Sequence, residues 1–331
     1  MSSGSQQILN NRFDLSLIYF PLWFPIIYLL TVTNVPSLAL LCFVFSLFLF
    51  AETHFASTWL FFFDDQNKYW IKQNIYKLIV LPIYFGIAIV GIWFFNPQVV
   101  LLLHYLASGY HVTKQSIGIS KLPKNSGTNL RLIIYFFSFG FLATGLIKPG
   151  VLGNLFIENK LILNSFLIII FILYLLLVFL SSKIKNIKNI NYFSSLITGI
   201  IIYLPILFFK DLSTATAVGV GIHWIQYLSI IGLIYFRKTS INYKNIKDLL
   251  NSFEFKSRFI FILGYALIMT IFAIIGVTSA NNSKNVFNYF YLIPIIFQLY
   301  HFYIDGFIWK FSDPHIRNSI GSFLLKKKKM A

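Results

Sequence analysis

The chain has 331 residues, of which 57% are hydrophobic and 11% charged, whereas a soluble globular domain carries about 25% charged residues. This composition argues against a soluble domain. The net charge of +17 comes from short clusters of Lys and Arg between apolar runs, which indicates membrane topology and anionic lipid contacts and argues against nucleic acid as a partner. A single cysteine, Cys42, excludes an intrachain disulfide and a thiolate metal cluster.

Apolar runs long enough to cross a bilayer, about 20 residues each, alternate with polar breaks along the chain. We predict an all-α polytopic membrane helix bundle of about ten transmembrane helices, in which residues 1–331 form a single transmembrane domain. The predicted spans cover residues 14–32, 36–63, 76–95, 97–117, 131–148, 161–182, 191–209, 213–236, 258–277 and 286–309. Tight turns between antiparallel helices are predicted at residues 34–36, 96–97 and 210–212.

The distribution of Lys and Arg predicts the orientation of the chain, because cytoplasmic loops are enriched in these residues. With the N-terminus inside, 23 of the 27 Lys and Arg residues fall on the cytoplasmic side. The exceptions are Lys148, Lys160, Lys210 and Lys284. We therefore predict cytoplasmic N- and C-termini in the bacterial inner (plasma) membrane, with the terminal run 326–329 of lysines on anionic lipid headgroups.

Ionisable groups inside the hydrocarbon cost about 2.5 to 3.5 kcal/mol on insertion scales, so each needs a partner or a function. Eight of the ten acidic residues fall in loops or at span ends, whereas Glu52 and Asp305 fall within spans. Five histidines lie within even-numbered spans: His54, His104, His111, His223 and His301. Because even-numbered helices all run from outside to inside, these imidazoles reach overlapping depths, and we predict that they converge on one polar cavity.

Helical spacing refines this cluster. His301 and Asp305 are four residues apart and share a helix face, so the carboxylate can accept a hydrogen bond from the imidazole. His104 and His111 are about 10.5 Å apart along the axis, too far to bind one metal ion easily. Either one is a ligand and the other contacts the substrate or supports a ligand, or the two flank a two-metal site. Glu52 and His54 diverge by about 200°, so only one of them is expected to face a shared site.

Imidazole and carboxylate ligands suit Fe, Zn, Cu or Mn, and a site with few ligands and open positions suits iron and oxygen chemistry. We predict an enzyme, a non-haem Fe(II) oxygenase that acts on a hydrophobic lipid or isoprenoid entering from the bilayer. The predicted metal ligands are His54, His111, His223 and His301. The other predicted catalytic residues are Asp305, which orients His301, and His104 and Glu52, which contact the substrate or support the ligands.

Four short segments resemble the bacterial Brp and Blh-type membrane enzymes, which cleave β-carotene to retinal. The segments surround His54, His104 to His111, His223, and His301 to Asp305. The resemblance implies iron held by histidines of several membrane helices and carotenoid cleavage as the activity. This chain has no early Pro-His-Gly-x-x-Asp element, and its segment Gly221-Ile-His223-Trp-Ile-Gln226 lacks a second histidine.

Two other functions stay open at this point. A proton-coupled transporter would use the buried histidines, Glu52 and Asp305 as a relay, although the sequence shows no inverted repeat. A haem-binding electron-transfer protein would use histidine pairs as axial ligands. Each histidine also has a structural interpretation, because polar side chains commonly hydrogen-bond between membrane helices.

The sixth histidine, His315, follows the last predicted span. It comes directly after Asp313 and Pro314, an order typical of a turn or a helix start. We therefore predict that His315 belongs to a cap at the membrane surface.

Overall fold

Helices form the secondary structure of the described residues, and no strand occurs among them. The structure, a computed structural model, describes residues 11–123, 131–146, 190–209, 212–241, 246–279 and 286–324, together with residues 8, 165, 168–170, 172–173, 176 and 243. The longer helices are α1 Trp23–Asn34, α2 Pro36–Phe61, α3 Tyr76–Phe95, α4 Pro97–Ile119, α5 Arg131–Leu146, α6 Ile190–Phe208, α7 Leu212–Ser240, α8 Phe253–Ser279 and α9 Leu292–Ile308. The predicted span 161–182 lies largely outside the described residues.

Six segments of the described chain are long and apolar enough to cross a membrane. They are Pro36–Phe61, Tyr76–Phe95, Ile190–Phe208, Thr214–Ser240, Phe253–Gly276 and Tyr289–Ile308. These segments match predicted spans two, three, seven, eight, nine and ten, and they confirm the membrane character of the chain. Helices α1 and α5 are apolar but shorter. The total of ten spans stays a prediction.

The predicted turns between neighbouring spans coincide with breaks in the helices. Val35 leaves the helical conformation between α1 and α2, and Asn96 is extended between α3 and α4. The third predicted turn, at residues 210–212, lies largely outside the described residues.

The first predicted span, 14–32, is interrupted. A π-helical segment, Asp14–Tyr19, ends at Phe20, and α1 begins only at Trp23. The cause is Pro21, because a residue that precedes proline is driven out of the helical conformation; Phe20 has φ −149° and ψ 59°.

Contacts divide the chain into two compact units. The first unit comprises Met1–Phe43 and Ser108–Gln226, and the second comprises Val44–Ala107 and Tyr227–Ala331. Helices α2, α4 and α7 each contribute residues to both units.

In the first unit, polar side chains satisfy the carbonyl groups exposed by the break at Pro21. The Thr198 hydroxyl donates a hydrogen bond to the Tyr19 carbonyl at 2.7 Å, and the Gln226 amide donates to the Ile18 carbonyl at 2.6 Å. The last carbonyls of a helix have no partner within it, so these two contacts stabilise the interrupted segment.

In the second unit, two apolar clusters position the polar side chains. One joins α3, α4 and α9 through Ile89, Trp93, Val100, Leu292, Ile295 and Leu299. The other joins the end of α2 to α7 through Leu60, Tyr227, Ile231 and Tyr235. Helix α8 packs against the middle of α2.

Helix α2 changes its winding along its length. An α-helical stretch gives way to a π-helical turn, Leu47–Glu52, followed by an α-helical turn, Thr53–Thr58, and a final 3₁₀ turn. Single π turns inside α-helices occur frequently at functional sites. Glu52 closes the π turn, and His54 follows it.

The C-terminal segment docks on the short helix Asp65–Gln73. The Asp313 carboxylate accepts hydrogen bonds from the backbone N–H groups of His315 (2.8 Å) and Ile316 (3.3 Å), so the predicted helix start is confirmed. The His315 ring stacks on Trp70 with an interplanar angle of 8°, and its Nε2–H donates to the Asn67 Oδ1 at 2.9 Å.

Acid is expected to weaken this docking. Burial lowers the pKa of His315, against the opposing effect of Asp313. Because the native pKa lies below the unfolded value of about 6.5, the unfolded chain binds more protons in acid. The stability contributed by neutral His315 is therefore fully present above the unfolded pKa. It is lost as the pH falls below that value and through the native pKa.

We expect the thermal unfolding midpoint of the detergent-solubilised chain to fall between about pH 7 and about pH 5, and we expect His315→Gln to lose part of this fall. Glutamine keeps an N–H donor for Asn67 but does not titrate. The difference between the two midpoints at each pH removes the contribution of the other histidines. Midpoints that stay parallel over this range would contradict the prediction.

Candidate functional site

Two buried imidazoles meet within the second unit. His54 of α2 and His301 of α9 have ring centroids 4.3 Å apart, with the rings nearly perpendicular. A ring nitrogen of one lies within 4.8 Å of a ring nitrogen of the other. Both side chains are shielded from solvent, with relative exposures of 1% and 0%. Two imidazole nitrogens at this distance can contribute to one metal site.

A carboxylate lies beside this pair and is held by three donors. Asp305 accepts hydrogen bonds from the Tyr227 hydroxyl at 2.9 Å and from the Thr58 hydroxyl at 3.2 Å, both at Oδ1. The Trp309 indole N–H donates to Oδ2 at 3.1 Å. The donors come from α7, α2 and the end of α9, so the position of the carboxylate is fixed by three parts of the unit.

His301 and Asp305 lie on the same helix face, as predicted. The distance from His301 Nε2 to Asp305 Oδ2 is 3.7 Å, longer than a hydrogen bond. The direct hydrogen bond that the spacing suggested is therefore replaced by a bridge, because the Thr58 hydroxyl lies 2.5 Å from His301 Nδ1 as well as on Asp305.

The bridge favours one tautomer of His301. The Thr58 hydroxyl also lies 2.8 Å from the Tyr227 hydroxyl, which donates its own proton to Asp305. If the single Thr58 proton goes to Asp305 or to the Tyr227 oxygen, Thr58 accepts from the His301 Nδ1–H. Nε2 then carries the lone pair that a metal ligand requires. A metal bound by His301 would therefore bind through Nε2.

Glu52 and His104 belong to a second polar group in the same unit. The Gln298 amide donates to Glu52 Oε1 at 3.0 Å, and the His104 Nε2–H donates to Gln298 Oε1 at 2.7 Å. Glu52 is fully buried. Glu52 thus contacts Gln298 while His54 contacts His301, which confirms that neighbouring polar residues of α2 face different partners.

In the first unit, His111 of α4 and His223 of α7 form another pair of buried imidazoles. Their ring centroids are 5.5 Å apart and the rings are perpendicular. Their predicted role as ligands of the ion bound by His54 and His301 stays a prediction.

Four polar residues of the second unit do not follow from the sequence-based predictions: Thr58, Tyr227, Gln298 and Trp309. Each lies three or four residues from a predicted site residue on the same helix: Thr58 follows His54, Tyr227 follows His223, Gln298 precedes His301, and Trp309 follows Asp305. Residues at that spacing share a helix face. The sequence signal for these residues is a hydrogen-bonding side chain three or four positions from a predicted site residue.

Replacement of the bridging hydroxyl tests its role. We expect Thr58→Val, which keeps the shape of the side chain, to lower the free energy of unfolding by about 1 to 3 kcal/mol, because buried donors and acceptors lose a partner. The control is Thr33→Val, since the exposed Thr33 hydroxyl bonds only to carbonyl groups of its own helix; we expect it to change the same free energy by less than about 0.5 kcal/mol. Unfolding in detergent provides the measurement, and equal effects of the two variants would contradict the bridging role.

Comparisons of this chain with protein-family models, curated proteins and solved structures found no match. The resemblance to the Brp and Blh-type enzymes therefore stays a prediction that rests on the four segments around the histidines.

Proposed function

We propose that this chain is a membrane-embedded non-haem iron oxygenase that acts on a hydrophobic lipid or isoprenoid. One observation carries the proposal: the buried imidazoles of His54 and His301 approach within 4.8 Å next to the hydrogen-bonded carboxylate of Asp305. Ionisable side chains inside membrane helices are costly and are found mainly where they serve a function.

The donor set fits a transition metal. His54 and His301 would hold Fe(II), with His111 and His223 as the further proposed ligands. Imidazole nitrogen is a ligand for iron as well as for zinc and copper, and bound iron would supply the activation of dioxygen. The Thr58 hydroxyl keeps His301 in the ligating tautomer, and Asp305 anchors Thr58.

The surroundings of His301 suit an apolar substrate. The Phe55 ring lies 5.0 Å from the His301 ring and the Phe302 ring lies 5.6 Å from it, both edge-on. Aromatic walls with a few placed polar groups are typical of sites for hydrophobic ligands. Carotenoid cleavage is the specific reaction that the resemblance implies.

Metal analysis tests the proposal. We expect the full chain, purified in mild detergent, to carry about one iron per chain, because imidazoles this close share an ion. His54→Ala and His301→Ala should lose most of the iron, whereas His315→Ala, which alters a histidine outside the site, should retain it.

The same assay on His111→Ala and His223→Ala tests the two further ligands. Retained iron in these variants removes them from the ligand set. Two results would overturn the oxygenase proposal. The first is a purified chain that holds no transition metal, and the second is an iron content that His54→Ala and His301→Ala leave unchanged.

The proposal includes the orientation of the chain. We propose ten spans in a bacterial inner membrane, with both termini in the cytoplasm and the run 326–329 on anionic lipid, because Lys and Arg are enriched on the cytoplasmic side. We expect green fluorescent protein fused after residue 331 or residue 244 to fluoresce, and alkaline phosphatase fused after residue 284 to be active. Active phosphatase at the C-terminus would contradict this orientation.

A proton-coupled transporter is the second candidate, and the buried connection between Glu52, Gln298 and His104 is the observation that favours it. Such a carrier would bind no stoichiometric iron and would move protons across vesicle membranes. A haem protein would show a Soret band, so an absorption spectrum of the purified chain distinguishes that third function.

A further inference from the structure

Among the buried polar atoms of the second unit that lack a hydrogen-bond partner, three lie near one another: Glu52 Oε2, the Tyr265 hydroxyl and the Trp59 indole N–H. They lie on α2 and α8, apart from the contacts that join His54 to His301. Burying a polar group without a partner costs free energy. Native proteins rarely leave such groups unsatisfied, so each one calls for a partner that binds there.

The rest of the cluster fixes these atoms in place. Gln298 donates to Glu52 Oε1 and is itself held by His104, so Oε2 is the oxygen that remains without a partner. Gln298 donates through one amide N–H and accepts at its oxygen, and these two contacts position Glu52.

The three atoms belong to one neighbourhood. The Trp59 indole N–H faces the Tyr265 hydroxyl outside ordinary hydrogen-bond geometry, and Glu52 lies near the same hydroxyl. The Phe297 ring is edge-on to both Trp59 and Tyr265, with centroid distances of 6.1 Å and 6.0 Å. The polar atoms are therefore set among aromatic rings that suit an apolar chain.

We propose that Glu52, Trp59 and Tyr265 form a binding site for the hydroxyl end of a long-chain hydrophobic molecule. A hydroxyl group both donates and accepts a hydrogen bond. It can donate to Glu52 Oε2 and accept from the Trp59 N–H or the Tyr265 hydroxyl, and so it supplies the missing partners without bringing a charge into the membrane.

Charged end groups fit the same atoms poorly. A carboxylate or phosphate would meet the acidic Glu52, and no ion pair of Glu52 occurs among the described residues to offset it. An ammonium group could donate to Glu52 Oε2, but it has no acceptor and so leaves the donor-only indole of Trp59 without a partner. A neutral hydroxyl is the end group that matches the whole set.

This inference deepens the proposed function, because it gives the hydrophobic substrate a hydroxyl end. It rests on that function only for the identification of the ligand as the substrate. Binding is therefore measured on the full chain after removal of metal with a chelator. A failure of the oxygenase proposal and a failure of this binding site then give different results.

The probe is a long-chain alcohol with a photoreactive diazirine next to its hydroxyl group, added to the chain in phospholipid vesicles. Hexadecan-1-ol, hexadecyl methyl ether and hexadecane serve as competitors. We expect saturable labelling of peptides from residues 47–62 and 253–279. Hexadecan-1-ol should suppress it at a concentration about tenfold lower than hexadecane does, the ratio that hydrogen bonds of ordinary strength produce.

Variants connect the labelling to the three side chains. Glu52→Met removes both oxygens at similar size, and Tyr265→Phe removes one hydroxyl. We expect each to weaken the competition by hexadecan-1-ol about fivefold or more, while Tyr69→Phe, at an exposed tyrosine, leaves it unchanged. Tyr265→Phe removes a hydroxyl that has no hydrogen-bond partner, so we expect this variant to preserve the fold. Glu52→Met also removes the acceptor of the Gln298 amide, so its folding is checked by its thermal unfolding midpoint.

Two results would overturn the site. Equal competition by hexadecan-1-ol and hexadecane would show that only a trapped water satisfies these atoms. Wild-type competition in both Glu52→Met and Tyr265→Phe would place the hydroxyl elsewhere. Alcohol binding in a chain that never carries iron would leave the site intact and end the oxygenase proposal alone.

Discussion

The arrangement of the second unit depends on one constraint: a carboxyl group buried among membrane helices must find hydrogen-bond donors. Asp305 finds them in Tyr227, Thr58 and Trp309. Because these donors come from different helices, the carboxylate fixes how α2, α7 and α9 meet inside the unit. His301 is fixed in turn, since its ring contacts the same Thr58 hydroxyl. A site that needs a defined imidazole tautomer gains it from this network.

Helix α2 supplies both polar groups of this unit from nearby positions, because Glu52 and His54, two residues apart, point in different directions from the helix. The π turn Leu47–Glu52 ends just before the turn that carries His54 and Thr58. His54 and Thr58 are one helical turn apart and share the face that meets His301. Glu52 lies on another face, where Gln298 donates to its Oε1.

The sequence predicted what depends on residues of a single helix. Membrane helices, the shared face of His301 and Asp305, the divergence of Glu52 from His54, and the helix start at Asp313 all follow from spacing along one chain segment. The break at Pro21 also depends on residues of a single segment. The apolar character of residues 14–32 predicts one continuous span, whereas proline interrupts it. Partners that come from another helix, such as the contact of Gln298 with Glu52, depend on how helices pack, and spacing within one helix does not specify that.

The two polar groups of the second unit differ in how their requirements are met, and this difference assigns them different chemistry. Around Asp305, four donors and acceptors satisfy one another, so the network is rigid and suits the positioning of a ligand nitrogen. Around Glu52, one carboxyl oxygen accepts from Gln298, which is itself held by His104, whereas Oε2, the Tyr265 hydroxyl and the Trp59 indole N–H remain without partners. A rigid, satisfied network holds a reactive centre in place, and an unsatisfied one gains free energy when a ligand arrives. If both proposals hold, chemistry at His301 and recognition at Glu52 are separable functions of one unit, connected through α2 and α9, which contribute side chains to both.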